Sequence, residues 1–265
     1  MPEGHTIHRE ARDQKPMLAG RGVVVSSPQG RFADGARRLD GRTCKAVEAF
    51  GKHLVYRFEA GDHLHVHLGL FGRIRKAKRP ENEPRGAVRV RLMSDTHVVD
   101  INGPTICEIL DEPGLAALLA RIGPDVLRPD ADPDRAFARI SKSRAPIGRL
   151  IMDQSVMAGI GNIYRTEILW RQGVHPDVPG RAVDRAVFDR LWADAQRLLR
   201  IGVTRRAIVT VEEALAKSGR RRKGERFNIF GKETCPACAG PVMKFDIAGR
   251  RAFACETCQP VPDPD

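Results

Sequence analysis

Four cysteines near the end of this 265-residue chain restrict its folding more than any other feature: Cys235 and Cys238, then sixteen residues, then Cys255 and Cys258. Two C-x2-C pairs at this separation match the ligand spacing of a tetrahedral structural zinc site. The intervening PVMKFDI and RRAFA alternate around Ala248, Gly249 and Arg250, the pattern of a β-hairpin. So small a hairpin has no core of its own, and a metal would staple it. Cys44 and Cys107 fall in strand-like runs and read as buried small hydrophobes.

Charge concentrates around these cysteines. From residue 217 to 258 there are ten Lys or Arg against four Asp or Glu, a local net charge of +6 within a chain of +12. An excess of this sign and size favours a polyanionic partner, nucleic acid above all. For the RRRKGER loop itself, a solvated charged face explains the run equally well. No stretch approaches the roughly 18 uninterrupted apolar residues of a membrane span. The N-terminus carries Glu3, His5, His8, Arg9 and Glu10 where a secretory signal would place its apolar run. The expectation is a cytoplasmic, nucleoid-associated monomer with reduced thiols and no membrane partner.

Ahead of this region the chain divides by pattern. After a modestly helical stretch at 3 to 18, the runs RGVVVSS, CKAVEAF, HLVYRFE, HLHVHLGL, AVRVRLM, HVVDI and TICEIL predict about seven short antiparallel strands in a sandwich or barrel. PGLAALLARIG, residues 113 to 123, predicts a closing helix, and the Pro- and charge-rich LRPDADPDRAF a hinge. IGRLIMDQSVMAG, NIYRTEILWRQG, VDRAVFDRLWADAQRLLRIG and VTVEEALAKSG then carry helical spacing. In AGIGNIYRTEIL, two glycines and Asn162 stand before a helix, so Asn162 is placed to cap it while backbone N–H groups face a phosphate. A tight interhelical turn with an Asn cap has the same pattern, and spacing leaves both readings open.

Five segments, in order, resemble one family: PEG at 2 to 4, GKHL at 51 to 54, HLGLFG at 67 to 72, MDQSVMAGIGNIYRTEILWRQGVHP at 152 to 176, and CPAC with GRRAFACETCQ. The chain is similar over nearly its whole length to the formamidopyrimidine-DNA glycosylase and endonuclease VIII family of base-excision repair enzymes. The resemblance implies an α+β multidomain fold: a catalytic antiparallel β-sandwich with flanking helices (1–124), a helical domain with a helix-two-turn-helix (125–224), and a zinc-finger β-hairpin (225–265). It also implies a bifunctional DNA glycosylase and abasic-site lyase with one structural Zn2+, acting on DNA by β,δ-elimination.

On that resemblance, Pro2 is the nucleophile once Met1 is removed. Its secondary amine gives an iminium with no N–H proton to lose, and an α-amino group is less basic than lysine, about 7.7–8.0 against 10.4. Glu3 is placed to shuttle protons, and Lys52 matches the lysine that contacts DNA at the damaged nucleotide. Asn162 and Arg250 match residues on the phosphates flanking the lesion. Leu70 and Phe71 look like the apolar wedge that fills the gap left by a flipped base, although core residues of a β domain would show the same pattern.

Departures from the family point to substrate. An Arg-x-Phe pair of the 8-oxoguanine-excising branch, at about 100 to 108, is absent from DINGPTICEIL; GRRRKGERFNIFGK is short for a loop closing over an oxidised purine. Both favour the endonuclease VIII branch and oxidised pyrimidines. His5 and Thr6 replace a usual Pro-Glu, and Gly148 stands where purine-specific enzymes use a lysine. His63, His65 and His67 alternate on one face of a strand, but no acidic or cysteine ligand nearby in the sequence completes a metal site, and HLGLFG explains His67 as scaffold. The rival from another class is a non-catalytic damaged-DNA-binding or architectural zinc-finger protein; Pro2, Glu3 and Lys52 argue against it.

Overall fold

The structure, a computed structural model, describes residues 2–79, 83–212 and 225–261. Its contacts fall into two compact units, Met1–Arg121 and Ile122–Asp265.

The first unit is built from helix α1 (Gly4–Leu18), β1 (Arg21–Gly22), β2 (Val24–Ser26), α2 (Ala33–Leu39), seven further strands and α3 (Glu112–Arg121). The strands are β3 (Thr43–Phe50), β4 (His53–Phe58), β5 (His63–His67), β6 (Arg73–Lys78), β7 (Val88–Met93), β8 (His97–Asn102) and β9 (Ile106–Leu110). Among the described residues they form two antiparallel sheets, ordered β1-β3-β4-β5-β9 and β2-β7-β8-β6. Alternating residues such as Leu54, Tyr56, Leu64 and Val66 meet Val90, Leu92, Val99 and Ile101 in one core, the sandwich arrangement expected of strands with one apolar face.

Two differences from the predicted strands have physical causes. RGVVVSS is not one strand: it crosses between sheets at the buried Val23, whose N–H donates to the Arg42 carbonyl. RIRKAK forms β6, a strand that apolar runs do not reveal, because it is a sheet edge with mostly exposed side chains. Cationic edges of this kind discourage edge-to-edge pairing.

The second unit holds α4 (Pro133–Ile140), α5 (Ile147–Leu150), α6 (Asn162–Arg171), α7 (Arg185–Arg205) and a hairpin of β10 (Met243–Ile247) and β11 (Arg250–Ala254). α4 starts inside the proline-rich stretch, where Asp132 accepts from the N–H groups of Asp134 and Arg135. IGRLIMDQSVMAG is helical only over α5. Beyond it the chain turns, because the Gln154 amide clamps the segment: its Oε1 accepts from Gly159 N at 2.9 Å and its Nε2 donates to Met152 O and Ile160 O. VTVEEALAKSG lies largely outside the described residues.

Candidate functional site

Where the head of α1 lies follows from its hydrogen bonds. Gly20, just past the helix, donates to Cys44 O at 2.7 Å, and Tyr56, paired with Val47, donates to Gln14 Oε1 at 2.6 Å. The helix therefore runs antiparallel to β3. From Gln14 back to Glu3 is about 16 Å at 1.5 Å per residue, and from Val47 on to the β3–β4 turn is about 10–16 Å at 3.3 Å per residue. Pro2 and Glu3 are thus carried to the same end of the sheet as Lys52. The placement is braced by Glu10, which accepts from Gln14, Arg9 and Lys76. Glu3 is wholly buried in extended conformation before the helix, and Pro2 is half-buried. Met1 lies outside the described residues.

Lys52 sits in a two-residue turn between β3 and β4, with Gly51 at φ 59° where a side chain would be strained. Across β4, His53 pairs with His67, the last residue of β5. The chain then turns from Leu68 to Gly72, whose N–H donates to Leu68 O at 2.9 Å. Leu68 is buried, whereas Leu70 is 47% and Phe71 85% exposed. Both projecting side chains are excluded from the core and stand at the Lys52 end of the sheet.

His63, His65 and His67 share the face of β5 opposite Leu64 and Val66, and the polar partners of His65 come from neighbouring strands. His53 Nδ1 lies 2.9 Å from His65 Nε2, and His65 Nδ1 lies 2.9 Å from Glu108 Oε1. The His53 ring centroid is 5.1 Å from that of His65 and 5.0 Å from that of His67. Burial, with His65, His67, Arg121 and Lys52 nearby, pushes His53 down to about 3, and burial lowers His65 and His67. Burial and Arg9 likewise push His5 down to about 3.

In the second unit Asn162 is the first helical residue of α6, not its cap; Gly161 takes the cap position in extended conformation without a side-chain bond. The Asn162 amide instead donates to Arg251 O at 3.1 Å and accepts from Arg165. Arg165 is fully buried and also donates to Arg251 O at 2.9 Å. The helix head and the hairpin are joined by buried guanidinium bonds. Arg250 is exposed beside the Ala248–Gly249 turn, where Asp246 accepts from Gly249 N at 2.8 Å. Ala248 and Gly249 have φ of 53° and 72°, the values a two-residue hairpin turn needs at both positions. Of the clustered cations, residues 217 and 220–223 lie outside the described residues.

The four cysteine sulfurs fall within 4.8 Å of one another, with Cys235 and Cys258 at 3.8 Å and Cys238 and Cys255 at 3.4 Å. A tetrahedron with metal–sulfur bonds of about 2.3 Å has edges of about 3.8 Å, so the set fits such an ion. Burial tends to raise Cys235, but the backbone N–H groups of Cys238 and Ala237 hold it at about 6. Burial and the adjoining sulfurs push Cys258 up to about 12. Four thiolates this close need a cation between them. Ile229, Val242 and Phe253 form a small core against the site, with Trp170 packed on it.

Glu167 escaped the reading from sequence. Wholly buried on α6, it accepts from Ile229 N (3.0 Å) and Phe230 N (2.8 Å) at Oε1, and from Asn228 N, Asn228 Nδ2 (2.8 Å each) and Thr210 Oγ1 (2.6 Å) at Oε2. It ties the chain entering the hairpin to the helix. Local spacing does not mark it, because polar residues such as Arg165, Thr166 and Arg171 are spread around α6 and two of them are buried as well. Gln259 acts similarly, accepting from Cys255 N at 3.0 Å and donating to Val174 O at 2.7 Å.

Two of the departures noted in sequence have structural counterparts. β8 and β9 are joined by residues 103–105 alone. At Gly148 a Cβ would come within 2.9 Å of Pro176 Cβ, 3.0 Å of Pro176 O and 3.2 Å of Ile247 Cδ1. No helix among the described residues is long and apolar enough to cross a membrane.

Comparison with known proteins agrees with this fold. Residues 1–104 match the formamidopyrimidine-DNA glycosylase N-terminal domain and residues 122–213 the formamidopyrimidine-DNA glycosylase H2TH domain, the helix-two-turn-helix module. The chain is 43% identical to Endonuclease 8 1 of Mycobacterium tuberculosis over 98% of its length and 100% of that protein's. It is 30% identical to the formamidopyrimidine-DNA glycosylase of Geotalea uraniireducens, again over 98% and 100%. In fold it matches the Lactococcus lactis enzyme Fpg solved with abasic-site DNA (TM-score 0.79, 20% identity, covering 98% of this chain and 100% of that one). The same enzyme solved with DNA containing an oxidised pyrimidine matches with TM-score 0.80, at 19% identity and the same coverage. By its full-length identity and both domain matches, the chain belongs to the formamidopyrimidine-DNA glycosylase and endonuclease VIII family of DNA glycosylases and abasic-site lyases.

Proposed function

We propose that the protein excises oxidised pyrimidines from DNA through a Schiff base on Pro2 and cuts the strand by β,δ-elimination. The observation that carries the reading is the convergence at one end of the sandwich: Pro2 and the buried Glu3 at the head of α1, and Lys52 in the β3–β4 turn. With Met1 removed, the Pro2 nitrogen attacks C1′ of the damaged nucleotide, the bond to the base breaks, and the base departs with a proton. The iminium acidifies the C2′ hydrogen; its loss expels the 3′ phosphate, and a second elimination expels the 5′ phosphate. Glu3 carries the protons of ring opening, its burial keeping bulk water from competing. Leu70 and Phe71, exposed at the same end of the sheet, fill the vacated stack.

Asn162 and Arg250 hold the phosphates beside the lesion, and their mutual bracing through Arg165 and Arg251 O supports a single preformed surface. Zinc on Cys235, Cys238, Cys255 and Cys258 cross-links the hairpin that presents Arg250. Pyrimidine preference is supported by 43% identity to an Endonuclease 8 1, by the three-residue β8–β9 connection and by Gly148. The test is borohydride trapping on abasic-site DNA with protein shown by mass to lack Met1. A covalent adduct that disappears in Pro2→Ala is expected. No adduct from the wild type would overturn the reading in favour of a non-catalytic DNA-binding protein. An oligonucleotide panel then ranks lesions, and preferential excision of 8-oxoguanine opposite C would overturn the pyrimidine assignment.

A further inference from the structure

Glu108, His65 and His53 form a hydrogen-bonded line from the half-exposed edge of the five-stranded sheet to the turn that carries Lys52. Each proton in this line has a determined place. An ionised carboxylate only accepts, so His65 Nδ1 donates to Glu108. A neutral imidazole has one N–H, so His65 Nε2 then accepts, and the donor to it is His53 Nδ1. That leaves the lone pair of His53 on Nε2. The neighbouring His67 is set the other way: its Nδ1 accepts from Gly69 N at 3.2 Å, which puts its proton on Nε2. The charged groups around the line are Lys52 on the turn, Arg121 on α3 and Glu108 on β9. The two cations, together with burial, favour the neutral imidazoles that this assignment requires.

We infer that Glu108, acting through His65, fixes the tautomer of His53 with its proton on Nδ1, so that the imidazole keeps an unprotonated, electron-rich Nε2 at the turn that holds the Lys52 ammonium. Glu108, His65 and His53 are positioning residues, and the inference rests on the lyase reading of Lys52. In the opposite tautomer that nitrogen, Nε2, would carry an N–H donor instead. No proton is transferred; the line works by orientation, as carboxylate–imidazole pairs do where one ring nitrogen sets the role of the other.

The test uses full-length protein with Met1 removed. In long-range proton–nitrogen spectra, wild-type His53 is expected to be protonated on Nδ1. Glu108→Gln retains a carbonyl acceptor for His65 and should keep both that tautomer and the lyase rate within about 2-fold. Glu108→Leu removes the acceptor; His53 should become a mixture of tautomers, and single-turnover abasic-site cleavage should fall about 10-fold, roughly 1.4 kcal/mol, with DNA affinity changed less than about 2-fold. Wild-type His53 protonated on Nε2, or Glu108→Leu cleaving at the wild-type rate, overturns the inference. Trapping by the wild type separates the two readings: without an adduct the lyase reading fails, while the spectra still judge the tautomer line.

Discussion

Replacing Glu167 by Gln changes one oxygen into an NH2 group inside a site that receives five hydrogen bonds. The favourable orientation keeps the amide oxygen under Ile229 N and Phe230 N. On the other side, Thr210 Oγ1 can still donate to Arg226 O at 3.1 Å, and Asn228 Nδ2 to Thr210 O at 3.3 Å. Asn228 N has no such fallback and faces a donor. One buried N–H left without an acceptor costs about 1–3 kcal/mol, and two bonds weakened by loss of the anionic charge cost roughly 1 kcal/mol each. The expected destabilisation is therefore roughly 3–5 kcal/mol, a large part of the 5–15 kcal/mol typical of a folded domain. Both tryptophans, Trp170 and Trp192, lie in the second unit, so denaturant unfolding followed by tryptophan fluorescence reads that unit alone. Glu212→Gln is the matched control, because its bonds to Arg171 and Arg197 are largely exposed and worth less than about 1 kcal/mol. An unfolding midpoint for Glu167→Gln as close to wild type as the control's, at unchanged slope, would refute the anchoring role.

Phe71→Ala should leave thermal stability within about 0.5 kcal/mol of wild type, since the ring is exposed. Duplex lesion excision should nevertheless slow more than excision from single strands, and equal slowing in the two would remove the wedge role. Ala248→Asn relieves a left-handed φ of 53° and should stabilise the hairpin by about 1 kcal/mol, read as later thermal loss of the Trp170 signal. His5 and His53, held down to about 3 from an ordinary 6.5, stay neutral in the fold while the unfolded chain takes up protons. Their stabilisation is whole above about pH 6.5 and is lost as pH falls toward 3, so β4 and β5 amides should lose hydrogen-exchange protection over that window; constant protection would contradict the burial of neutral imidazoles.

The cysteine spacing, the alternation of β3 to β5 and β7 to β9 and the three-to-four spacing of α6 and α7 are direct imprints of local geometry and are legible in the sequence. RIRKAK was not, because an exposed edge strand needs no apolar period. Asn162 stands at the expected helix end, but as its first residue and not as its cap. A cap is a local preference, whereas the Asn162 bond to Arg251 O joins segments nearly ninety residues apart in sequence. His53 and Glu108 were hidden for the same reason: cross-strand register, not spacing along the chain, brings them to His65. Tertiary polar networks leave little periodic trace.

Gly148 bears on how this enzyme could change over generations. Glycine to lysine is ordinarily a small step, but here the incoming Cβ meets the Pro176 backbone and the hairpin residue Ile247. A chain carrying that replacement would first have to rebuild the packing between its helix-two-turn-helix and its finger. Gly103, by contrast, opens onto empty space, and the turn around it can lengthen without collision. Lengthening the β8–β9 turn therefore meets less steric resistance than substitution at position 148.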